Sequence, residues 1–142
     1  MRAVLDTSVL IGEDPPSHVE AAISVASIAE LHFGVLVAGD DNERAVRTQR
    51  LGAIESAFDP FPITVEIARE WGRLSAAVTN RGGQPRGRTI DLVIAATANI
   101  YGVPLLTHNT GDFQIIGDLV DVRHPSEVQP PEPGAHRSAV DQ

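Results

Sequence analysis

The sequence predicts a single α/β domain built on a parallel sheet. Short apolar runs typical of buried parallel strands, such as residues 2–5, alternate with longer segments of helical periodicity. The clearest helical segment is 65–79, whose apolar stripe consists of Ile67, Trp71, Leu74 and Val78. Strands that alternate with helices indicate a parallel sheet, and 142 residues suffice for one hydrophobic core.

The first half of the chain is predicted to hold two strands and two long helices. Ser27 and Glu30 have the spacing of a capping box, which predicts the start of the first of these helices. In order, the predicted elements are a strand at 2–5, a helical turn at 18–22, a strand at 22–26, a helix from Ser27 to about Gly39 and a helix at about 43–57.

The second half continues the alternation. Residues 92–96 are apolar on every side, so the helix that contains them is predicted to be buried. In order, the predicted elements are an extended segment at 60–64, the helix at 65–79, a basic loop at 81–88, a helix capped by Thr89 and ended at Gly102, a strand at 103–107, a helical turn from Asp112 and a strand at 119–122.

The composition changes near the C-terminus. Four prolines lie between positions 125 and 133, and few apolar residues accompany them. We therefore expect a folded domain at 1–124 and a Pro-rich segment at 125–142 that is extended or disordered.

The residue types that are missing exclude several classes of chemistry. Without cysteine the chain has no disulfide, thiol nucleophile or cysteine-bound zinc. Without lysine it can be neither a P-loop ATPase nor a Schiff-base enzyme. No apolar run is long enough to span a membrane and no signal peptide is recognisable, so we expect a cytoplasmic protein.

All 11 basic residues are arginine, although the net charge is −8. A general bias towards arginine codons explains the missing lysine, but the clustering of eight arginines between positions 41 and 90 is more informative, because guanidinium groups bind phosphate oxygens bidentately. We expect phosphate contacts from this cluster. The candidates are Arg44, Arg47 and Arg50 on one helix face, and Arg86 and Arg88 in the basic loop.

Four acids are predicted to meet at one edge of the sheet. Right-handed crossovers bring successive strand ends, and with them three of the acids, to this edge, and Asp91 joins them if its helix points its N-terminus there. The four acids are Asp6, Glu30, Asp91 and Asp112. Each has a simpler explanation when it is taken alone. Glu30 completes a capping box, Asp91 complements a helix dipole and Asp112 belongs to a turn. Asp6 is harder to dismiss, because a carboxylate that ends a buried strand is costly unless it is paired or binds a metal.

Clustered carboxylates repel one another and favour a cation between them. A hard divalent ion such as Mg²⁺ fits oxygen ligands and can activate water for attack on phosphorus. Nearby hydroxyl and amide side chains are candidates to support the acids; these are Thr7, Ser8, Thr107 and Asn109. The residues alone therefore point to a metal-dependent phosphodiesterase.

Four motifs in this order resemble the PIN domain, and in detail the VapC-type toxin ribonucleases of bacterial toxin–antitoxin pairs. They are Val-Leu-Asp6-Thr-Ser-Val-Leu-Ile, Ser-Ile-Ala-Glu30-Leu, Asp91-Leu-Val-Ile-Ala-Ala-Thr-Ala and Leu-Leu-Thr107-His-Asn109-Thr-Gly-Asp112-Phe. The resemblance covers residues 1 to about 124.

The resemblance implies a three-layer α/β/α sandwich whose four acids bind Mg²⁺ or Mn²⁺. It implies endonucleolytic cleavage of structured RNA, of the tRNA or rRNA class, with inhibition of translation. It also implies a homodimer and a cognate VapB-type antitoxin that covers the acidic groove. By position, the acids of the family match Asp6, Glu30, Asp91 and Asp112.

Two other functions remain open at this point. A phosphatase with Asp6 as nucleophile would resemble haloacid-dehalogenase-like enzymes, but Ser8 replaces their second aspartate and their lysine is missing. A catalytically silent module would keep the fold and only bind RNA or an antitoxin.

Overall fold

A computed structural model describes residues 1–12, 16 and 18–128 of the chain. Its elements in chain order are β1 (Arg2–Leu5), α1 (Thr7–Leu10), β2 (Glu20–Ala22), α2 (Val25–Leu36), α3 (Asp41–Ala57), α4 (Val65–Asn80), α5 (Thr89–Tyr101), β3 (Leu105–Leu106) and β4 (Val122–Arg123). Short 3-10 helices lie at Arg86–Arg88, Thr110–Ile116 and Pro125–Glu127. None of the described helices is long and apolar enough to cross a membrane.

The four strands form one parallel sheet in the order β2-β1-β3-β4. The central pair aligns Val4 with Leu105 and Leu5 with Leu106. Because the strands are parallel, all of their carboxyl ends lie at one edge. This edge is where a parallel sheet presents its ligand site.

Alternate residues of β1 face the two layers of helices, as the two-residue period of a strand requires. Val4 packs on the side of α4 and α5, with Leu74 and Ile94. Leu5 packs on the opposite side, with Leu31 of α2 and Ile54 of α3. The predicted α/β/α sandwich with a central parallel sheet is confirmed.

The predicted second strand and the helical turn before it were wrong. Residues 20–22 pair with β1, so tertiary pairing overrides the helix-forming character of Glu20 and Ala21. The apolar run 22–26 does not form one strand, because it straddles the end of β2 and the start of α2. Ser24 caps α2 through a hydrogen bond from the Ala26 amide at 3.0 Å.

The last strand also differs from the prediction of 119–122. The backbone amides of Leu119 and Val120 bond to the Ile116 carbonyl, at 2.9 and 3.1 Å. These residues therefore close the preceding 3-10 helix. The strand begins at Val122, which aligns with Leu105.

The folded part extends beyond the predicted boundary at residue 124. Pro125–Glu127 forms a 3-10 helix capped by His124, whose ring accepts a hydrogen bond from the Ser126 amide. Val128 is 8% exposed and joins the core beneath α2 and α3. Residues 129–142, on which the prediction of an extended tail mainly rests, lie outside the described residues.

Gly83 lies where the loop after α4 passes close to the core. A Cβ atom at this position would stand 2.7 Å from Ile115 Cδ1 and 2.8 Å from Val78 Cγ1. We expect Gly83→Ala to lower the free energy of unfolding by about 1–3 kcal/mol, the usual cost of overpacking. Urea unfolding followed by circular dichroism measures the change.

Gly87→Ala is the matched control in the same loop, because no atom lies within 4 Å of its added Cβ. This variant should unfold at the wild-type urea concentration or slightly above it. Equal stability of the two variants would contradict the close packing at Gly83.

Candidate metal and nucleic-acid site

Asp6 follows β1 directly, at the carboxyl edge of the sheet. Its backbone caps the short helix α1, but its side chain takes no part in the capping. The carboxylate is only 5% exposed, and its Oδ2 atom accepts hydrogen bonds from Ser8 Oγ and Thr107 Oγ1, each at 2.8 Å. Within the described residues Oδ1 receives no hydrogen bond, so one oxygen of a fixed, buried carboxylate is left for a ligand.

The two hydroxyls that hold Asp6 are themselves held by backbone amides. The His108 amide donates to Ser8 Oγ at 3.1 Å, and the Asn109 amide donates to Thr107 Oγ1 at 3.0 Å. Each hydroxyl can therefore direct its own proton at the carboxylate. Ser8 and Thr107, which the sequence proposed as supporting residues, both lie in direct contact with the Asp6 carboxylate.

Glu30 is held by Thr7, which donates a hydrogen bond to Glu30 Oε1 at 2.6 Å. Thr7 Oγ1 also lies 3.0 Å from Ser27 Oγ, so the two hydroxyls are in contact beside the carboxylate. The capping-box explanation of Glu30 was wrong. Ser24 caps α2, which places Glu30 in the second turn of the helix and aims it at α1.

Asp91 lies in the first turn of α5, with its carboxylate half-buried. Burial raises the pKa of Asp91 to about 6, and the charges of Asp6, Glu30 and Asp112 act in the same direction. The guanidinium of Arg88 opposes them. All four predicted acids therefore lie close enough for the other three to act electrostatically on Asp91.

Asp112 opens the 3-10 helix after β3, and its side chain is exposed. Its amide donates to the Asn109 carbonyl at 3.0 Å, and its carbonyl accepts a hydrogen bond from Arg88. The turn explanation therefore holds for the backbone of Asp112 and leaves its carboxylate free to face Asp91.

The arrangement fits a hard cation in its donor chemistry. In the described part of the chain, no three acidic or histidine side chains are close enough to hold a metal ion between them as they stand. Mg²⁺ commonly takes only one or two carboxylates and keeps several waters. Asp6 and Asp91 are the best placed of the acids. Asp6 is held in place by hydrogen bonds to Oδ2 and keeps Oδ1 available. Asp91 has a negative charge that the neighbouring acids disfavour.

Comparison with known proteins identifies the family of the chain. The sequence profile of the PIN domain matches residues 3–119 of the chain. The chain belongs to the PIN-domain family. The matched region spans β1 to the segment before β4, so it contains all four acids.

The relatives of this PIN domain include proteins named VapC. Ribonuclease VapC5 of Mycobacterium tuberculosis is 35% identical over 128 residues, which are 84% of this chain and 90% of that protein. Ribonuclease VapC8 of the same species is 33% identical over 102 residues, 68% of this chain and 90% of that protein.

A solved structure similar to this PIN domain is that of VapBC-5 from M. tuberculosis, described as a member of the VapBC family of toxin–antitoxin systems. It superimposes with a TM-score of 0.74 at 31% identity, over 87% of this chain and 96% of that one. VapBC-1 of Haemophilus influenzae superimposes with a TM-score of 0.70 at 20% identity, over 89% and 99%, which shows a common fold.

The predicted arginines of the PIN domain divide into three groups. Arg86 and Arg88 form the turn before α5, and Arg88 reaches the acidic edge. Arg44 donates to Asp41 and to the Ala38 carbonyl, which holds it at the α2–α3 turn. This contact gives Arg44 a structural role.

Arg47 and Arg50 line a cavity of about 250 Å³ beside the acids. Glu30 and Thr7 form the wall that the cavity shares with the acidic edge. The site therefore has cations on two sides, Arg88 near Asp91 and the α3 arginines near Glu30. The sequence placed Arg47 and Arg50 on one helix face but gave no sign of the cavity.

Sequence reasoning missed one member of the site, Ser27, and one contact of a predicted member, Arg88. Ser27 was interpreted as a helix cap, yet it is fully buried and bonds to Thr7. Arg88 was predicted to contact RNA, and its link to the Asp112 carbonyl was not foreseen. The sequence signal for this role of Ser27 was the pair of hydroxyl residues, Thr7 and Ser8, directly after Asp6. Hydroxyls in such a partly buried position need hydrogen-bond partners, and Ser27 is one of them.

Proposed function

We propose that this PIN-domain protein is a VapC-type toxin: a metal-dependent endoribonuclease that hydrolyses phosphodiester bonds in structured RNA. The observation that supports this proposal most strongly is the raised pKa of Asp91, which reaches about 6 near the negative charges of Asp6, Glu30 and Asp112. Repulsion among these carboxylates destabilises the fold, whereas the same concentration of negative charge is what binds a cation.

The four acids have different roles in this proposal. Asp6 and Asp91 are the first ligands of Mg²⁺ or Mn²⁺, and Glu30 and Asp112 act directly or through water. When bound, the ion would orient water for attack on phosphorus and offset the negative charge of the phosphodiester. Attack by water leaves a 5′-phosphate on one fragment and a 3′-hydroxyl on the other.

The hydroxyl residues keep this centre rigid. Ser8 and Thr107 fix the rotamer of Asp6, and Thr7 fixes that of Glu30. A carboxylate that is positioned before the substrate arrives does not have to be ordered during the reaction. Arg86 and Arg88 then meet the RNA backbone on the side of α5.

The relatives support the other parts of the proposal. Ribonuclease VapC5 and the VapBC-5 assembly are the sources of the expected activity class and partner. In this proposal the protein acts in the cytoplasm and cleaves RNA of the tRNA or rRNA class, and this cleavage stops translation. A VapB-type antitoxin neutralises the toxin. We also propose a homodimer, the form that the family implies. A net charge of −8 suits a basic antitoxin segment.

Cleavage of total RNA by the antitoxin-free protein tests the proposal. With Mg²⁺ or Mn²⁺ we expect discrete fragments bearing 5′-phosphates, and none in EDTA. Asp6→Asn should abolish cleavage because it removes the charge of the fixed ligand. Glu20→Gln is the control, since Glu20 is an exposed carboxylate on β2 that pairs with Arg2.

A catalytically silent module predicts a different outcome. Wild type and Asp6→Asn would then bind the RNA equally and leave it intact in every metal. Fragments that form equally in EDTA and with Asp6→Asn would contradict the acidic site and point to a contaminating nuclease.

A further inference from the structure

The cavity between α1, α2 and α3 adjoins the acidic edge, because Glu30 belongs to both. It holds about 250 Å³, and its polar wall is formed by Thr7 and Glu30. Arg47 and Arg50 of α3 also line it. The remaining lining residues are Ile11, Leu31 and Gly34. Such a cavity offers an apolar surface for a ring and a cation for an anionic group.

The three arginines of α3 differ in what they already bind. Arg44 pairs with Asp41, and Arg47 donates to the Gly34 carbonyl at 2.6 Å and pairs with Glu43. Arg50 is half-buried in the cavity wall and makes no hydrogen bond or ion pair with any of the described residues. The guanidinium of Arg47 is therefore already engaged, whereas that of Arg50 lines the cavity without a partner among the described residues.

We propose that this cavity binds the nucleotide next to the scissile bond and that Arg50 contacts its phosphate. The inference rests on the proposed ribonuclease function and adds a subsite to it. A guanidinium that is half-removed from water gains more from a phosphate than an exposed one does. The cavity is also wide enough for a ribose or a base against Ile11 and Leu31.

The position of Glu30 connects the subsite to the reaction. Its carboxylate belongs to both the cavity wall and the group of acids that raises the pKa of Asp91. A nucleotide held in the cavity therefore has its neighbouring phosphate at the acidic edge. Arg50 acts as a positioning residue, because it fixes which phosphodiester bond meets Asp6 and Asp91.

Methylphosphonate substitution tests this contact one phosphate at a time. The probe is a short RNA that spans a cleavage site mapped with the wild-type protein, made with a neutral methylphosphonate at each flanking position in turn. For wild type we expect one flanking position to lower kcat/KM about tenfold, the effect of one charge-assisted hydrogen bond. Arg50→Gln should lower kcat/KM about tenfold on unmodified RNA, and the methylphosphonate at the sensitive position should cause no further decrease in this variant.

Arg44→Gln is the matched control, because it removes the same charge from the same helix outside the cavity. It should keep the full penalty at the sensitive position. Thermal unfolding of both variants checks that the fold is intact, and Arg50→Lys should recover only part of the loss because it restores the charge without the fork.

Three outcomes would overturn the subsite while leaving the ribonuclease in place. In the first, each methylphosphonate lowers kcat/KM of Arg50→Gln by the same factor as that of wild type, so that the two effects add. In the second, no flanking phosphate is sensitive in the wild-type protein. The third is normal RNA cleavage by Arg50→Gln with weakened inhibition by the antitoxin, which would assign Arg50 to a carboxylate of the partner. Failure of wild type to cleave any RNA would instead contradict the proposed function itself.

Discussion

Asp91→Asn should lower the rate of RNA cleavage by roughly 10²- to 10⁴-fold, the range for groups that act at the reacting atoms. The same substitution should make the metal-free protein more stable at neutral pH. Both effects have one cause. Asp91 is a half-buried carboxylate among three other acids, and its pKa of about 6 shows that the folded protein disfavours its charge.

The direction of the pH dependence follows from this raised pKa. The ordinary pKa of the group is 3.8, so between pH 3.8 and about 6 the folded protein binds more protons here than the unfolded chain does. The stabilising contribution of Asp91 is present below pH 3.8 and is lost as the pH rises through 6. The difference in melting temperature between Asp91→Asn and wild type should therefore grow over this window and stay constant above it.

Thermal unfolding in EDTA from pH 4 to 8 measures the stability effect. Glu66→Gln is a matched control, because Glu66 occupies the first turn of α4 as Asp91 occupies that of α5, but in solvent. A simple helix-dipole role predicts that both substitutions destabilise slightly. Destabilisation by Asp91→Asn at pH 7.5 would contradict the repulsive cluster.

Addition of Mg²⁺ or Mn²⁺ should stabilise the wild-type protein. An ion that binds only the folded state at a hundred times its dissociation constant adds about 2.7 kcal/mol to the free energy of unfolding. The stabilisation should be largest above pH 6, because below it protons compete for Asp91. It should disappear in Asp91→Asn and Asp6→Asn.

The measurement is a metal titration of the melting temperature at pH 5 and pH 7.5. NaCl of equal ionic strength controls for screening of the acidic surface, which also stabilises a protein of net charge −8. Equal stabilisation of wild type and Asp91→Asn by Mn²⁺ would place the ion elsewhere on the protein.

Helices with a strong one-sided pattern could be predicted closely from the sequence. Residues 65–79 were predicted for α4, which spans Val65–Asn80, because its apolar stripe has a single interpretation. The short strands could not be placed as well. β2 and β4 contain three and two residues, and their positions are decided by register against β1 and β3. That register is a long-range property, which a local pattern does not contain.

The candidate site was predictable in its acids and less so in its contacts. Strand-end topology was enough to predict Asp6, Glu30 and Asp112 at one edge, whereas the place of Asp91 depended on the direction of its helix. The hydrogen bond from Thr7 to Glu30 depends on where α2 begins, and the two serines at positions 24 and 27 are equally good caps by sequence. Both are fully buried, and only the tertiary contacts distinguish them, since Ser24 accepts from the Ala26 amide whereas Ser27 contacts Thr7.

The central strand pair has a consequence for the synthesis of this protein. Asp6 leaves the ribosome 101 residues before Thr107, whose hydroxyl fixes its carboxylate. β1 likewise has no central partner until β3 has been made. Contacts so distant in sequence form late in folding. A nascent chain therefore carries an incomplete set of acids on an unfinished sheet, and an interrupted chain never completes either.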